Sequence, residues 1–306
     1  MAKILTLTLN PALDLTVRLA RLEPGAVNRS EAVLTHAAGK GVNVAQVLAD
    51  LGHDVSVGGF LGDANPQAFD ALIASRGFGD AFVRVPGETR SNIKIAEQDG
   101  RVTDINAPGP LVNEEAQKAL LKLIAMIGPQ FDAVVVAGSL PRGVSPQWFQ
   151  GLLQQFKDLG LKVALDTSGE ALRAGLQAGP WLVKPNTEEL AEAMDDATDA
   201  ISRLHQLGVE HVVVSDGAAG VSWYRPGATL HATPPKVEVA STVGAGDSLL
   251  AGVLHGLLSG DAPEQTLRRA TAIAAMAVTQ IGFGISDDAQ LARLESGVDV
   301  RVLTEQ

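Results

Sequence analysis

The stretch AVVVAGSLPRGVSPQWFQGLLQQFKDLGLKVALDTSGEALRAGLQAGPWLV, residues 133–183, alternates short apolar runs with amphipathic segments. Ala133–Val136, Val163–Leu165 and Trp181–Val183 are almost entirely apolar, as strands are when both faces of a sheet are covered. Pro146–Leu159 and Glu170–Leu176, between them, space their apolar residues as helices do. The rhythm continues on both sides. Upstream are a strand at Ile4–Leu9, stopped by Asn10-Pro11, a helix at Val42–Leu51, a strand at Val55–Val57 and a helix at Glu114–Ile127. Downstream are helical patterns in Glu188–Leu207, read as two pieces, and a strand at Val212–Val214. Two long apolar helices then run between Gly244 and Gly282. Strands alternating with helices in this way predict an α/β fold: a doubly wound, mostly parallel sheet flanked by helices.

Two stretches depart from the rhythm. Ala12–Leu34 and Thr89–Asn106 read as short alternating strands with turns such as Asp99-Gly100 and no helix between. They predict a small antiparallel sheet standing off the main one as a lid. With no internal repeat and no Pro/Ser-rich linker, the expectation is one domain over 1–306, its lid strands inserted from about 12–34 and 89–106.

Composition removes whole classes of function. Lys and Arg number 24 against 35 Asp and Glu, a formal charge of −11 with no basic run. Sequence-independent binding to nucleic acid or an anionic membrane needs clustered cations, so neither is expected. Zero cysteines exclude disulfides, thiol nucleophiles and cysteine metal sites. No segment reaches 18 uninterrupted apolar residues, and the opening MAKILTLTLN lacks the ordered regions of a signal peptide. A cytoplasmic location is expected. Gly39-Lys40 is followed by Gly41 rather than Ser or Thr, so there is no Walker A loop. Nor is there a dinucleotide fingerprint after the first strand, a G-x-S-x-G elbow, or a paired-histidine metal motif among the six histidines.

The sharpest local signal is Ser241-Thr242-Val243-Gly244-Ala245-Gly246-Asp247-Ser248, directly before the apolar helix Leu249–Leu258. Its glycines let the backbone approach a ligand, and the helix start offers unpaired N–H groups to a phosphate. An ordinary glycine turn with a dipole-partner aspartate reads equally well. A helix N-terminus also lowers the pKa of Asp247, which weakens it as a base. Gly39-Lys40-Gly41-Val42-Asn43 is a second glycine turn opening a helix, with a full charge and an amide added. If Thr89–Lys94 is a strand, Arg90, Asn92 and Lys94 share one face, suited to an anionic, hydroxyl-rich ligand or to a solvated edge. Asp14 offers a carboxylate for sugar hydroxyls. Asn186 with Glu189 reads as a capping box or as partners of a magnesium ion, and the glycine loop from Ser215 to Gly220 follows a strand where a nucleotide could lie.

Six of these fragments occur in a familiar order: Asn10-Pro11-Ala12-Leu13-Asp14, Ala38–Asn43, Thr89-Arg90, Gly138-Ser139-Leu140-Pro141, Lys184-Pro185-Asn186 with Glu189, and Thr242–Asp247. Together, over essentially the whole chain, they resemble the ribokinase-like family of carbohydrate kinases in its phosphofructokinase B branch. The stretches Ala37–Gly41, Thr89–Lys94 and Trp181–Asn186 narrow what the resemblance implies. It implies ATP-dependent phosphorylation of fructose 1-phosphate at its 6-hydroxyl, giving fructose 1,6-bisphosphate and ADP. Tagatose 6-phosphate and fructose 6-phosphate are the alternative substrates, and a non-catalytic sugar-phosphate sensor is the alternative from another class.

The resemblance also assigns roles. Asp247 would be the base, with the N–H groups of Gly244, Ala245 and Gly246 holding the transferring phosphoryl charge. Asp14, Gly39 and Asn43 would grip sugar hydroxyls. Lys40, Arg90 and Lys94 would bind the existing phosphate, with Ser139 also on the substrate side. Lys184, Asn186, Ser215, Gly217, Gly220 and Thr242 would serve ATP, with Asn186 and Glu189 as outer-sphere partners of Mg2+. Relatives that use K+ hold it near the anion hole; Ser241 and Val243 match that region and Thr279–Gly284 matches it loosely. A lid shared across a homodimer is implied as well.

Overall fold

Ile4, Leu5 and Leu7 have no exposed surface, and all of Ala133–Ala137 is buried, so these strands lie in the middle of a sheet with both faces covered. The computed structural model describes residues 1–194, 199–280 and 282–303. The first half runs β1 (Lys3–Thr8), β2 (Ala12–Leu19), β3 (Ala32–Ala38), α1 (Lys40–Asp50), β4 (Asp54–Gly62), α2 (Gln67–Arg76), β5 (Gly79–Val85), β6 (Arg90–Glu97), β7 (Val102–Asn106), α3 (Glu114–Ile127), β8 (Ala133–Ala137) and α4 (Pro146–Asp158). The second half runs β9 (Lys162–Asp166), α5 (Gly169–Gln177), β10 (Leu182–Val183), α6 (Thr187–Ala193), α7 (Ala200–Gln206), β11 (His211–Ser215), β12 (Val221–Arg225), β13 (Ala228–Thr233), α8 (Ala245–Ser259), α9 (Pro263–Val278), α10 (Asp288–Ser296) and β14 (Asp299–Leu303).

The main sheet has ten strands in the order β14-β13-β12-β11-β10-β9-β8-β1-β4-β5. From β11 to β5 every pairing is parallel; β12, β13 and β14 are joined to it and to one another by antiparallel pairs. One apolar core lies under α1, α8 and α9, the other under α3, α4 and α5. The order reverses between β1 and β8, so the carboxyl ends of these strands flank the crevice where open α/β sheets bind ligands.

The four-stranded sheet, β3-β2-β6-β7, is built from the two stretches that broke the helical rhythm. It is mixed rather than antiparallel as expected: its two central strands, β2 and β6, run parallel. They enter from β1 and β5, which point the same way in the main sheet, and this dictates the parallel pairing. Other sequence expectations need amendment too. β4 runs on through Gly58-Gly59, which masked its length, and α2 buries only Phe69, so it had no apolar stripe to read. The pattern at Glu188–Leu207 is two helices, with 195–198 outside the described residues.

Candidate active site

Residues from the carboxyl ends of five main-sheet strands, four helix starts and one face of the small sheet line a cleft of about 580 Å³. Thr8 ends β1 and Asn10 follows it, Gly138 and Ser139 follow β8, Asp166 ends β9, Lys184 follows β10 and Ser215 ends β11. Asp14, Arg90, Asn92 and Asn106 come from the small sheet, and Gly39, Lys40 and Asn43 from the start of α1. Val243, Gly244, Gly246 and Asp247 come from the start of α8.

The geometry of α8 follows from its first residues. Gly244 has φ +82°, a left-handed conformation, and a Cβ there would lie 2.5 Å from the ring of Phe283. The first intrahelical bond is Ser248 N–H to the Gly244 carbonyl, 2.9 Å, so the N–H groups of Ala245, Gly246 and Asp247 precede the helical ladder. Helix α1 starts in the same cleft behind Gly39, at φ +134°, where a Cβ would meet Thr8 at 2.5 Å. Two positive helix ends therefore converge on one space.

Between them sits a buried charge cluster. Asp166 has no exposed side-chain surface; its Oδ1 accepts from Lys40 Nζ at 3.0 Å, and Lys184 Nζ is 3.1 Å from its Oδ2. Burial pushes the Asp166 carboxyl up, but Lys184 and Lys40 outweigh it and hold the group below the usual carboxylate range. Burial pulls Lys40 down, yet Asp166, Asp247 and Glu189 together push it up to about 12. Asp247 goes the other way. Burial, reinforced by the charge of Asp166, pushes it up to about 6, against the Asn43 hydrogen bond and the two lysines. The helix end was expected to depress this carboxyl; desolvation wins instead. Asn43 Nδ2–H donates to Asp247 Oδ2 at 2.8 Å, leaving Oδ1 for a substrate proton.

On the small sheet, Asp14 accepts from Asn92 Nδ2 at 3.1 Å and from Lys94 Nζ at 2.6 Å. Lys94 does not line the cleft; it acts on it through Asp14. Asn186 and Glu189 form a complete capping box on α6: Glu189 N–H donates to Asn186 Oδ1 at 2.7 Å, and Asn186 N–H to Glu189 Oε2 at 2.9 Å. Both still line the cleft. Ala245, Gly217, Gly220 and Thr242 do not: Gly217 opens a 3-10 turn after β11 that Gly220 closes, and Thr242 lies in the segment before α8. Arg142 is exposed and donates to the Gly109 carbonyl. Of the loosely matching stretch Thr279–Gly284, Ile281 lies outside the described residues.

Asp166 had no motif to announce it. Its signal was a single aspartate closing the wholly apolar strand Val163–Leu165, at the end of the sheet where ligands bind. Asn10 reads in the sequence as a strand stop and as the opening of the fragment that ends at Asp14, with no role of its own; its Nδ2–H donates to Ser139 Oγ at 3.2 Å across the switch point.

Residues 7–290 match the pfkB family of carbohydrate kinases. The chain is 46% identical over 308 residues to the 1-phosphofructokinase of Vibrio cholerae, covering 98% of this chain and 97% of that protein. It is 44% identical over 307 residues to the 1-phosphofructokinase of Escherichia coli K12, covering 98% of each. Among solved structures, phosphofructokinase-2 from Escherichia coli in complex with potassium superposes with a TM-score of 0.88 at 27% identity, covering 97% of this chain and 99% of that one.

Proposed function

Because the chain belongs to the pfkB family of carbohydrate kinases, we propose that it transfers the γ-phosphoryl group of ATP to the 6-hydroxyl of fructose 1-phosphate, giving fructose 1,6-bisphosphate and ADP. The observation that carries the reaction is the buried Asp247, poised near pH 6 beside the start of α8 and backed by Lys40, Asp166 and Lys184. The substrate rests on the name shared by the full-length relatives.

Asp247 Oδ1 takes the proton of the 6-hydroxyl as its oxygen bonds to phosphorus. A carboxyl near 6 is ionised at neutral pH yet basic enough to help. The N–H groups of Gly244, Ala245 and Gly246 meet the charge of the transferring group. Fructose 1-phosphate carries its own phosphate at the end away from the 6-hydroxyl. Lys40, fixed on Asp166 close enough for Asp247 to raise its pKa, therefore serves the transferring phosphoryl group with Lys184, and Arg90 serves the existing phosphate. Asp14, oriented by Asn92 and Lys94, accepts sugar hydroxyls, and Gly39, Asn43 and Ser139 complete the sugar end. Ser215 lines the nucleotide end, with Gly217, Gly220 and Thr242 on the neighbouring loops.

The donors suit an ion that arrives on nucleotide phosphates, as Mg2+ does, rather than one caged by protein. Glu189 keeps one oxygen outside its capping bond, and among the described residues no three His, Cys, Asp or Glu side chains cluster as a cage. Asn186 and Glu189 would hold Mg2+ through its waters, and the ion would neutralise charge on the phosphates. For K+, the support is the segment Ser241–Val243, whose backbone is pinned beside the end of α9 by the Ser241 N–H to Val278 carbonyl bond, 3.2 Å. Activity that survives replacement of K+ by tetramethylammonium argues against it.

The assembly is a homodimer through the lid. The small-sheet face opposite Asp14 carries Leu15, Val17, Val33, Ile93, Ile95 and Ile105, with Val33 and Ile105 each 53% exposed. Ile105→Asp should turn the dimer into a monomer in sedimentation. Among the described residues no helix is long and apolar enough to cross a membrane, and we place the enzyme in the cytoplasm with its ATP.

The deciding assay measures ADP release with Mg-ATP and fructose 1-phosphate, fructose 6-phosphate or tagatose 6-phosphate in parallel. A higher kcat/KM for either 6-phosphate overturns the substrate, and silence in all three with folded protein favours the sensor. Asp247→Asn should lower kcat by at least about 10² with sugar-phosphate binding retained.

A further inference from the structure

Four crossings connect the two sheets: Leu9–Pro11 into β2, Gly39 out of β3, the segment before Arg90 into β6, and Ala107–Gly109 out of β7. Arg90 begins β6, and its guanidinium reaches two of the other crossings. Nη2–H donates to the Asn10 carbonyl at 3.0 Å, Nη1–H to the Ala107 carbonyl at 3.1 Å and Nε–H to the Pro11 carbonyl at 3.4 Å. The residue before it is fixed to the main body. Thr89 N–H donates to Asn65 Oδ1 at 2.7 Å, its carbonyl accepts from Asn65 Nδ2 at 3.0 Å, and its hydroxyl accepts from Gly62 N–H at 2.9 Å. One side chain thus knots three of the four crossings to a residue already anchored.

A guanidinium has five N–H donors, and three are engaged here. Its charge is uncompensated: among the described residues no carboxylate lies within ion-pair distance of Arg90, and Asp14 acts on it only from farther off. A half-buried cation bonded only to neutral carbonyls, on the wall of a cleft, is short of one partner, an anion.

We infer that Arg90 is the hinge buckle of the lid: it holds three crossings by their carbonyls, and its two remaining N–H groups take the substrate's existing phosphate, so that phosphate occupancy and lid position are set at one side chain. Arg90 is then a positioning residue as well as a ligand. The inference rests on the reading that the substrate carries a phosphate, but not on which sugar carries it.

Arg90→Lys separates the two roles. Lysine keeps the charge and binds phosphate as a point charge, but its single nitrogen cannot span three carbonyls. The test is amide hydrogen exchange on the full chain, first without ligand, then with inorganic phosphate and with fructose 1-phosphate. Without ligand, amides of β2, β6 and β7 should exchange at least about tenfold faster in the variant, the scale of one hydrogen bond from a charged group, while β1, β8 and β9 are unchanged. Either phosphate should slow exchange in the small sheet of the native protein and fail to do so in the variant. KM for the sugar phosphate should rise about tenfold or more, with KM for ATP within about twofold. Native ligand-free exchange in the variant, with only KM raised, would leave Arg90 a ligand and overturn the inference. So would faster exchange throughout both sheets, the mark of general loosening. Should the variant not fold, the native protein decides alone: small-sheet exchange unmoved by either phosphate sinks the coupling. Failure of the substrate panel would leave the ligand-free result standing, so the two readings fail separately.

Discussion

Removing the Asn43 amide should move the acid limb of the pH profile. The Asn43 Nδ2–H to Asp247 Oδ2 bond, 2.8 Å long, stabilises the ionised carboxylate, so its loss raises the pKa of a group already pushed up to about 6. A hydrogen bond to a charged group contributes about 1.5–3 kcal/mol, and 1.36 kcal/mol corresponds to one pKa unit. In Asn43→Ala the base should therefore titrate near 7–8. A base of pKa 6 is roughly 90% ionised at pH 7, one of pKa 7 roughly half, and one of pKa 8 roughly 10%. Ionisation alone thus costs about two- to tenfold in kcat/KM at pH 7, and the loss should shrink as the pH rises towards 9.

The assay is ADP release at limiting sugar phosphate between pH 5.5 and 9, for the native protein and the variant together. The substrate's own phosphate titrates near pH 6, but it does so identically in both profiles, and the difference between them isolates the enzyme group. Profiles that keep the same shape and differ by a constant factor would refute the reasoning. Asn43 would then serve sugar hydroxyls alone, and burial and Asp166 would set the base without it.

Asp166→Asn leaves two lysines facing each other without their buried counter-charge, a loss of about 3–5 kcal/mol, which should lower Tm by roughly 5–15 °C in calorimetry; a fall under about 2 °C would show the cluster to be solvent-screened. Ala2 N–H donates to His53 Nδ1, so the ring carries its proton on Nε2 and passes a hydrogen bond to His255 Nδ1 at 2.9 Å. Burial, then His255, pulls His53 down to about 4, whereas the unfolded chain binds that proton near 6.5. The unfolded state holds more protons in between, so Tm should fall as pH drops from about 6.5 towards 4 and fall less steeply in His53→Asn. His211, also held at about 4, keeps part of the slope, but an unchanged slope would count against His53. Gly244→Ala must put a side chain at φ +82°, against Phe283, at about 1–2 kcal/mol of backbone strain. We expect kcat to drop roughly tenfold with KM for the sugar phosphate little changed; a native kcat would mean that the turn does not shape the anion hole.

What was legible in the sequence shares one property: it is local. The alternation at 133–183, the glycine turn before α8 and the capping box at Asn186 are each written within a few residues, because strand burial, helix starts and capping are short-range physics. What was illegible is the pairing of such pieces. Asn43 and Asp247 stand 204 positions apart, Lys40 and Asp166 126, and Arg90 and Asn10 80. Each residue alone reads as a helix start, a strand end or an edge cation, and only the sheet order brings them together. The same physics reverses the expectation for Asp247: the helix end acts locally to lower its pKa, but burial outweighs it, reinforced by the charge of Asp166 at the carboxyl end of β9, far away in the chain. Arg90 follows this pattern. As a strand residue it reads as an anion ligand; only when the β1 and β7 crossings are seen to converge on it does the cation also become the point at which the two sheets are joined.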